Sequence, residues 1–274
     1  MKPGRTIIVG LLLLFTLACF GLPLAAMIVK SLEPVQARSD TNTPVMRPPG
    51  SAFVDAWSSP VADFPLYLHN SAVIALFATV GMVISSAIVA YGFSRLRWKH
   101  RDSLFVVVLA TLMVPFPVVM APLYLVFREL GWIGSLKPLW VPAWFGGAFN
   151  IFLLRQFFMG IPKELDEAAK IDGCSHFGIF WRIILPLSKP ALAVVALFHF
   201  MFVWNDFLGP LIFLTHRDDF TLALGLQLYQ SKAGNTPWNL LMAASTMVTL
   251  PVLVLYVLAQ RTFVRGMSAD GLKE

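Results

Sequence analysis

The residues whose types and spacing could do chemical or mechanical work lie between Ile161 and Pro190, which read IPKELDEAAKIDGCSHFGIFWRIILPLSKP. Pro162 suits the first turn of a helix, where its missing N–H is not needed. Glu164, Asp166 and Glu167 place negative charge near that helix's positive end. Gly173 is a natural C-terminal stop. Leu165, Ala168, Ala169 and Asp172 share one face at i, i+3, i+4, i+7 spacing. Alanine makes that face flat, so another surface can approach it closely. Phe177, Phe180 and Trp181 repeat the i, i+3, i+4 pattern with aromatic rings. The spacing predicts two short helices separated by a glycine break. Physics alone leaves two uses open: an amphipathic segment resting on a membrane surface, or a face for another protein to meet.

A second set is His199, Asn205 and Asp206, which interrupt an otherwise apolar run. A charge at mid-bilayer costs about 2.5–3.5 kcal/mol on insertion scales. Asp206 stands about 16 residues into its run, near one mouth, where that penalty is small. These three groups could offer donors and acceptors to a hydroxyl-bearing solute, or could hold helices together by hydrogen bonds. Other chemistry finds no residues to carry it. There is no G-x-x-x-x-G-K-[ST] phosphate loop; the nearest run, Gly266 to Gly271, is followed by Leu272 where the lysine should stand. His-Glu-x-x-His and Gly-x-Ser-x-Gly are absent, and the five histidines do not cluster. The two cysteines, Cys19 and Cys174, are too few for a metal site, and their spacing suggests two free thiols. No metal, no cofactor in this chain and no catalytic residue are expected.

Composition says what must position these groups. The chain has 274 residues, 57% of them hydrophobic and 13% charged. A soluble domain carries about 45–50% apolar and about 25% charged residues. With a mean hydropathy of +0.72, the chain reads as a membrane protein. The net charge of +6 could suggest a nucleic-acid partner, but most of it lies in short loops between apolar runs. That is the pattern of membrane topology, and no nucleic acid is expected.

Six spans are expected, all α-helical, at about residues 7–29, 71–93, 104–127, 139–158, 190–214 and 240–259. The first has 23 uncharged residues from Ile7 to Val29. That length exceeds a signal peptide's apolar core of ~7–15 residues and predicts a retained helix. The fourth is weakest by hydropathy, with 17 uncharged residues between Lys137 and Arg155. Arg155 can snorkel toward the headgroups. Pro115, Pro117 and Pro122 crowd the third span and predict a kinked helix. Residues 31–70, rich in Pro, Ser, Asp and Thr, read as irregular and partly disordered.

Charge placement supports this layout. With both termini inside, the inner segments hold 14 of the 21 Lys and Arg residues and the outer segments 7. Removing the fourth span would put the Arg155–Lys189 group outside and invert the excess. Segment 161–189 is therefore expected to be cytoplasmic.

The same segment resembles the EAA loop of ABC importer permeases. That signature is Glu-Ala-Ala, three residues, Gly, nine residues, Ile, one residue, Leu-Pro. It falls here on Glu167, Ala168, Ala169, Gly173, Ile183, Leu185 and Pro186. Cys174 stands where the family usually has alanine. Arg261-Thr-Phe-Val-Arg-Gly-Met-Ser-Ala-Asp-Gly, Trp204-Asn-Asp-Phe-Leu-Gly-Pro-Leu and Tyr67-Leu-His-Asn-Ser resemble the second, smaller permease of carbohydrate importers of the maltose and glycerol-phosphate type. The resemblance implies one permease domain over residues 1–274, in the bacterial inner membrane, with cytoplasmic termini. It implies a loop in which Glu164, Glu167, Ala168, Ala169, Asp172, Gly173, Ile183, Leu185 and Pro186 meet a separate ATPase. Glu167 would pair with a basic group there. It also implies a partner permease, two ATPase subunits that bind the ATP and Mg, and an extracytoplasmic solute-binding protein. The solute would be a carbohydrate. A permease for a non-sugar solute, or an ion-driven secondary transporter, are the alternatives; the latter predicts an internal repeat, which is absent.

Overall fold

The computed structural model describes residues 3–34, 36–38, 44–59, 61–230 and 236–270. Lys2, Lys232 and Lys273 of the charge count, and Gly271 of the tail motif, lie outside them.

The protein is built from helices. In chain order they are α1 (Pro3–Ser31), α2 (Ser51–Trp57), α3 (Phe64–Ser94), α4 (Arg101–Ala110), α5 (Phe116–Glu129), α6 (Lys137–Trp140), α7 (Ala148–Gly160), α8 (Glu164–Ile171), α9 (His176–Ile179), α10 (Leu185–Leu187), α11 (Lys189–Trp204), α12 (Leu208–Phe213), α13 (Leu222–Gly225) and α14 (Trp238–Asp270). Two three-residue strands, β1 (Gln36–Arg38) and β2 (Pro44–Met46), pair antiparallel with Ala37 opposite Val45. The chain divides into two compact units, residues 1–67 with 224–252, and residues 68–223 with 253–274.

In the first unit, α1 is apolar on every side and none of its best span window is buried. A helix hydrophobic all round belongs in lipid or against another apolar surface. The described residues of segment 31–70 include the β1–β2 pair and α2. Gly50, at φ 83°, supplies the left-handed turn into α2. Ala52 and Ala56 of α2 are fully buried, and the Tyr229 hydroxyl donates to the Ala56 carbonyl at 2.8 Å.

In the second unit, one apolar core joins α3, α4, α7, α8, α9 and α11. Ala87, Ala90 and Tyr91 of α3 pack with Phe105 of α4, Leu154 and Phe158 of α7, Ala169 of α8, and Val195 of α11. Leu154 and Phe158 are fully buried. This core lies at the end of α3 that meets α8, so the 161–189 loop is built onto it rather than hanging free.

Among the described residues, three helices are continuous, long and apolar enough to cross a bilayer: Ile8–Ser31, Phe64–Ser94 and Trp238–Gln260. They contain the first, second and sixth expected spans. Two bent pairs raise the number to five at most, and the expected count of six is not reproduced. The third span is broken rather than kinked: Arg101–Met113 and Phe116–Glu129 meet at 98°. Val114 is extended there (ψ 110°), because a residue before proline avoids the helical region, and Pro115 continues extended (ψ 144°). The fourth span fails as a continuous helix. Pro138, Pro142 and Gly146 divide it into α6, a 3-10 turn over Val141–Phe145, and α7. At 13 residues α7 is only about 20 Å long. The fifth stops at Trp204 and resumes at Leu208.

Candidate functional site

The loop between α7 and α11 carries the EAA spacing, and its local geometry follows from its sequence. The first turn of α8 holds Glu164, Asp166 and Glu167. Its end is a Schellman closure around Gly173, at φ 80°. The Cys174 amide donates to the Ala169 carbonyl at 2.9 Å and the Gly173 amide to the Lys170 carbonyl at 3.0 Å. Ser175 then caps α9, its hydroxyl accepting from the Gly178 amide at 3.2 Å. Through Phe180–Ile184 the chain runs as a wider π-type turn into α10.

Burial sorts the expected site residues. Ala169 faces inward, while Glu164, Glu167, Ala168, Asp172, Gly173 and Pro186 are exposed, and Ile183 and Leu185 are half-buried. The helix face expected to be uniform is therefore split, with Ala169 used for internal packing and Leu165, Ala168 and Asp172 left outward. The aromatic set splits too. Phe180 is buried against Tyr91, ring centroids 5.0 Å apart. Phe177 and Trp181 stack on each other at 6.2 Å and stay 73% and 62% exposed. Ile171 is 88% exposed. The outer surface of the loop thus offers apolar side chains together with Glu164 and Glu167.

Two arginines outside the expected site tie the ends of α3 and α7 together, and Arg95 also holds the loop. Arg95, one residue past α3, has a side chain only 2% exposed. Its guanidinium donates to Asp166 Oδ2 at 3.2 Å, to the Ile161 carbonyl at 2.7 Å and to the Phe158 carbonyl. Reciprocally, Arg155 of α7 donates to the Phe93 carbonyl at 3.2 Å and lies 4.1 Å over the Phe105 ring. Each arginine thus serves carbonyls at the C-terminal end of the other's helix, where positive charge is favourable. In the sequence both count only as cations of the inner segments. The available signals for Arg95 are its place at the end of an apolar run and Asp166's spacing of three from the inward Ala169. A cavity of about 570 Å³ opens beside this clamp, lined by Arg95, Arg97, Lys163, Glu167 and Lys170.

The second candidate site is a cavity of about 340 Å³ lined mainly by apolar groups, including Met82, Phe127 and Phe202, with His199 and Asp206. His199 is 9% exposed and stacks on Phe202 at 6.0 Å; its Nε2 meets no hydrogen-bond partner among the described residues. Asp206 also serves the backbone, because its carboxylate accepts from the Gly209 amide at 3.1 Å, at the start of α12. Asn205 does not join them. Its side chain closes α11 by donating to the Met201 carbonyl at 2.7 Å. Two of the three expected residues are brought together, and the third is a helix cap. Among the described residues, no group of three or more His, Cys, Asp or Glu could hold a metal ion.

Comparison with known proteins places this architecture. Residues 82–269 match the family of binding-protein-dependent transport system inner membrane components. The chain is 33% identical over 254 residues to the arabinooligosaccharides transport system permease protein AraQ of Halalkalibacterium halodurans, covering 92% of this chain and 90% of that one. It is 37% identical over 223 residues to the trehalose/maltose transport system permease protein MalG of Thermococcus litoralis, covering 81% and 80%. It is 39% identical over 205 residues to the sn-glycerol-3-phosphate transport system permease protein UgpE of Pectobacterium atrosepticum, covering 74% and 73%. The fold is that of a chain in the crystal structure of a bacterial ABC transporter involved in alginate import, with TM-score 0.80, 23% identity, and coverage of 95% and 98%. A loop with the EAA spacing, packed on the end of a long apolar helix, agrees with these matches, and the chain belongs to the family of binding-protein-dependent transport system inner membrane components.

Proposed function

We propose that the protein is one of two membrane-spanning permease subunits of an ATP-driven carbohydrate importer, and that the 161–189 loop couples it to a separate ATPase. The observation that carries this reading is the loop. Seven residues at EAA spacing lie on a segment anchored from within by Ala169, Phe180 and the Arg95–Asp166 pair, and its outer face shows Ile171, Phe177 and Trp181 to solvent. Exposed apolar groups rimmed by charge mark a place where another protein sits. The substrates for which the relatives are named, arabinooligosaccharides, trehalose or maltose, and glycerol phosphate, support a carbohydrate-like solute.

The mechanism is alternating access. A solute-binding protein delivers the sugar from outside. Two permease chains form the pathway, and two ATPases that bind ATP and Mg close and push on the loops. This chain contributes half the pathway and one loop, performs no catalysis, and keeps both termini in the cytoplasm. The cavity with His199 and Asp206 is a section of its half of the pathway, where mostly apolar walls with a few polar groups suit a sugar's mixed surface.

Glu167→Lys tests the reading. Glu167 is exposed, so reversal has no burial penalty within this chain. It loses a helix-dipole contribution of about 0.3–1 kcal/mol, too little to unfold the protein. Against a basic group on the ATPase it sets like charges face to face, and truncating one partner of such a pair already costs about 2–5 kcal/mol. The variant should insert normally, yet show weak ATPase capture and no substrate-stimulated hydrolysis. Wild-type stimulation would refute the coupling role.

A further inference from the structure

We propose that Arg95 is a positioning residue of the transport cycle: it clamps α8 to the inner end of α3, so that α3 carries the loop's displacement to the His199 cavity. The proposal rests on the importer reading above. Its first support is the number of elements the guanidinium joins. It reaches the last turn of α7 through the Phe158 carbonyl, the linker through the Ile161 carbonyl, and α8 through Asp166. The second half of the loop is tied to the same place. The Tyr91 hydroxyl, one turn earlier on α3, donates to the His176 carbonyl of α9 at 3.0 Å, and its ring packs on Phe180. Both halves of the loop are thus fastened to one helix end that is not their neighbour in sequence.

The second support is what α3 does at the other end. Ser71, Ile74 and Met82 of this helix line the cavity that holds His199 and Asp206. From Met82 to Arg95 is about 20 Å of helix at ~1.5 Å per residue. That stretch contains no proline, and its hydrogen bonding continues past Ser94, the Arg95 amide donating to the Tyr91 carbonyl at 2.9 Å. The alternative connection, through α11, is bent by 76° where His176–Leu187 meets Lys189–Trp204. An unbroken helix transmits a rigid displacement, whereas a bend absorbs it. Arg95 is the rigid joint because its side chain is enclosed and its bonds run in several directions at once.

The clamp's link to α8 is one side-chain bond. Asp166 Oδ1 and Arg95 Nε meet no hydrogen-bond partner among the described residues. The pair is therefore held by a single hydrogen bond at 3.2 Å and not by a bidentate fork.

The test uses the complete complex with its ATPases and binding protein, reconstituted in lipid. Two variants are needed because Arg95→Gln alone could disturb folding. Asp166→Asn is milder: it removes the charge while Arg95 keeps its two carbonyl acceptors. The readouts are complex assembly, hydrogen exchange over residues 164–188, and the ratio of substrate-stimulated to unstimulated ATP hydrolysis. Residues that carry coupling change it on the order of 2- to 30-fold. Asp166→Asn should assemble, exchange faster across α8, and lower the ratio by an amount in that range; Arg95→Gln should lower it at least as far, and the double variant no further than Arg95→Gln. A wild-type ratio in both variants, with Glu167→Lys uncoupled, would overturn this inference and leave the importer reading standing. Wild-type coupling in Glu167→Lys would overturn the reading beneath it. Failure of both Arg95→Gln and Asp166→Asn to assemble would make the pair a folding contact and equally contradict the proposal.

Discussion

Replacing Gly173 should loosen the loop by an amount that the backbone alone determines. Gly173 sits at φ 80°, and a Cβ added there would meet nothing within 4 Å. Steric clash therefore contributes nothing, and the effect of Gly173→Ala is purely conformational. A non-glycine residue in the left-handed region is disfavoured by about 1–2 kcal/mol. That is a factor of roughly 5–30 in the population of the open closure. The Cys174 amide reports it directly, because it donates across the closure to Ala169 at 2.9 Å. In Gly173→Ala its hydrogen exchange should quicken by about that factor. Asparagine tolerates this conformation better, so Gly173→Asn should fall between wild type and Gly173→Ala. Gly173→Pro should be worst, since proline cannot reach φ 80° and also deletes the amide that donates to Lys170. Substrate-stimulated ATP hydrolysis should fall in the same order. Equal exchange in Gly173→Ala and wild type would refute the reasoning, because the closure would then not depend on its left-handed residue.

Other outcomes follow from burial and bonding. Phe158→Ala empties a fully buried site and should destabilise the purified protein by about 3–5 kcal/mol, read as a lower melting temperature; Phe177→Ala, on the exposed face, should leave melting unchanged and weaken ATPase capture. Asp206→Asn should preserve assembly, since the amide oxygen can still accept from Gly209, and should change uptake KM; Asp206→Ala loses the cap and about 0.5–2 kcal/mol of stability. Tyr229, outside the spans, has its pKa pushed up to about 12, first by burial. The folded state thus holds its proton where the unfolded state, at 10.0, releases it. Stability should be intact below pH 10 and fall between about pH 10 and 12, and Tyr229→Phe should remove that loss.

Some of this structure is written locally in the sequence and some is not. The continuous helices α1, α3 and α14 are legible because long apolar runs need only their own backbone bonds in lipid. Gly173 and the acidic first turn of α8 are legible because caps are set by a few adjacent residues. The broken helices are harder. Pro115 and Pro117 signal a bend but not its 98° size, which depends on what the freed chain packs against. The fourth segment has span-like hydropathy, yet Pro138, Pro142 and Gly146 divide it. Arg95 and Asp166 are 71 residues apart, and no periodicity announces such a pair. The same holds for His199 and Asp206, whose shared cavity is a tertiary fact, and for Asn205, which composition cannot tell from its neighbour.

The most direct test of the central claim is uptake by the complete complex in sealed proteoliposomes. ATP is enclosed and labelled oligosaccharides are offered outside with the solute-binding protein. Accumulation of a sugar that requires both ATP and the binding protein, and that disappears in Glu167→Lys, is the expected result. Accumulation driven by an ion gradient without ATP, or undiminished in Glu167→Lys, would contradict the account.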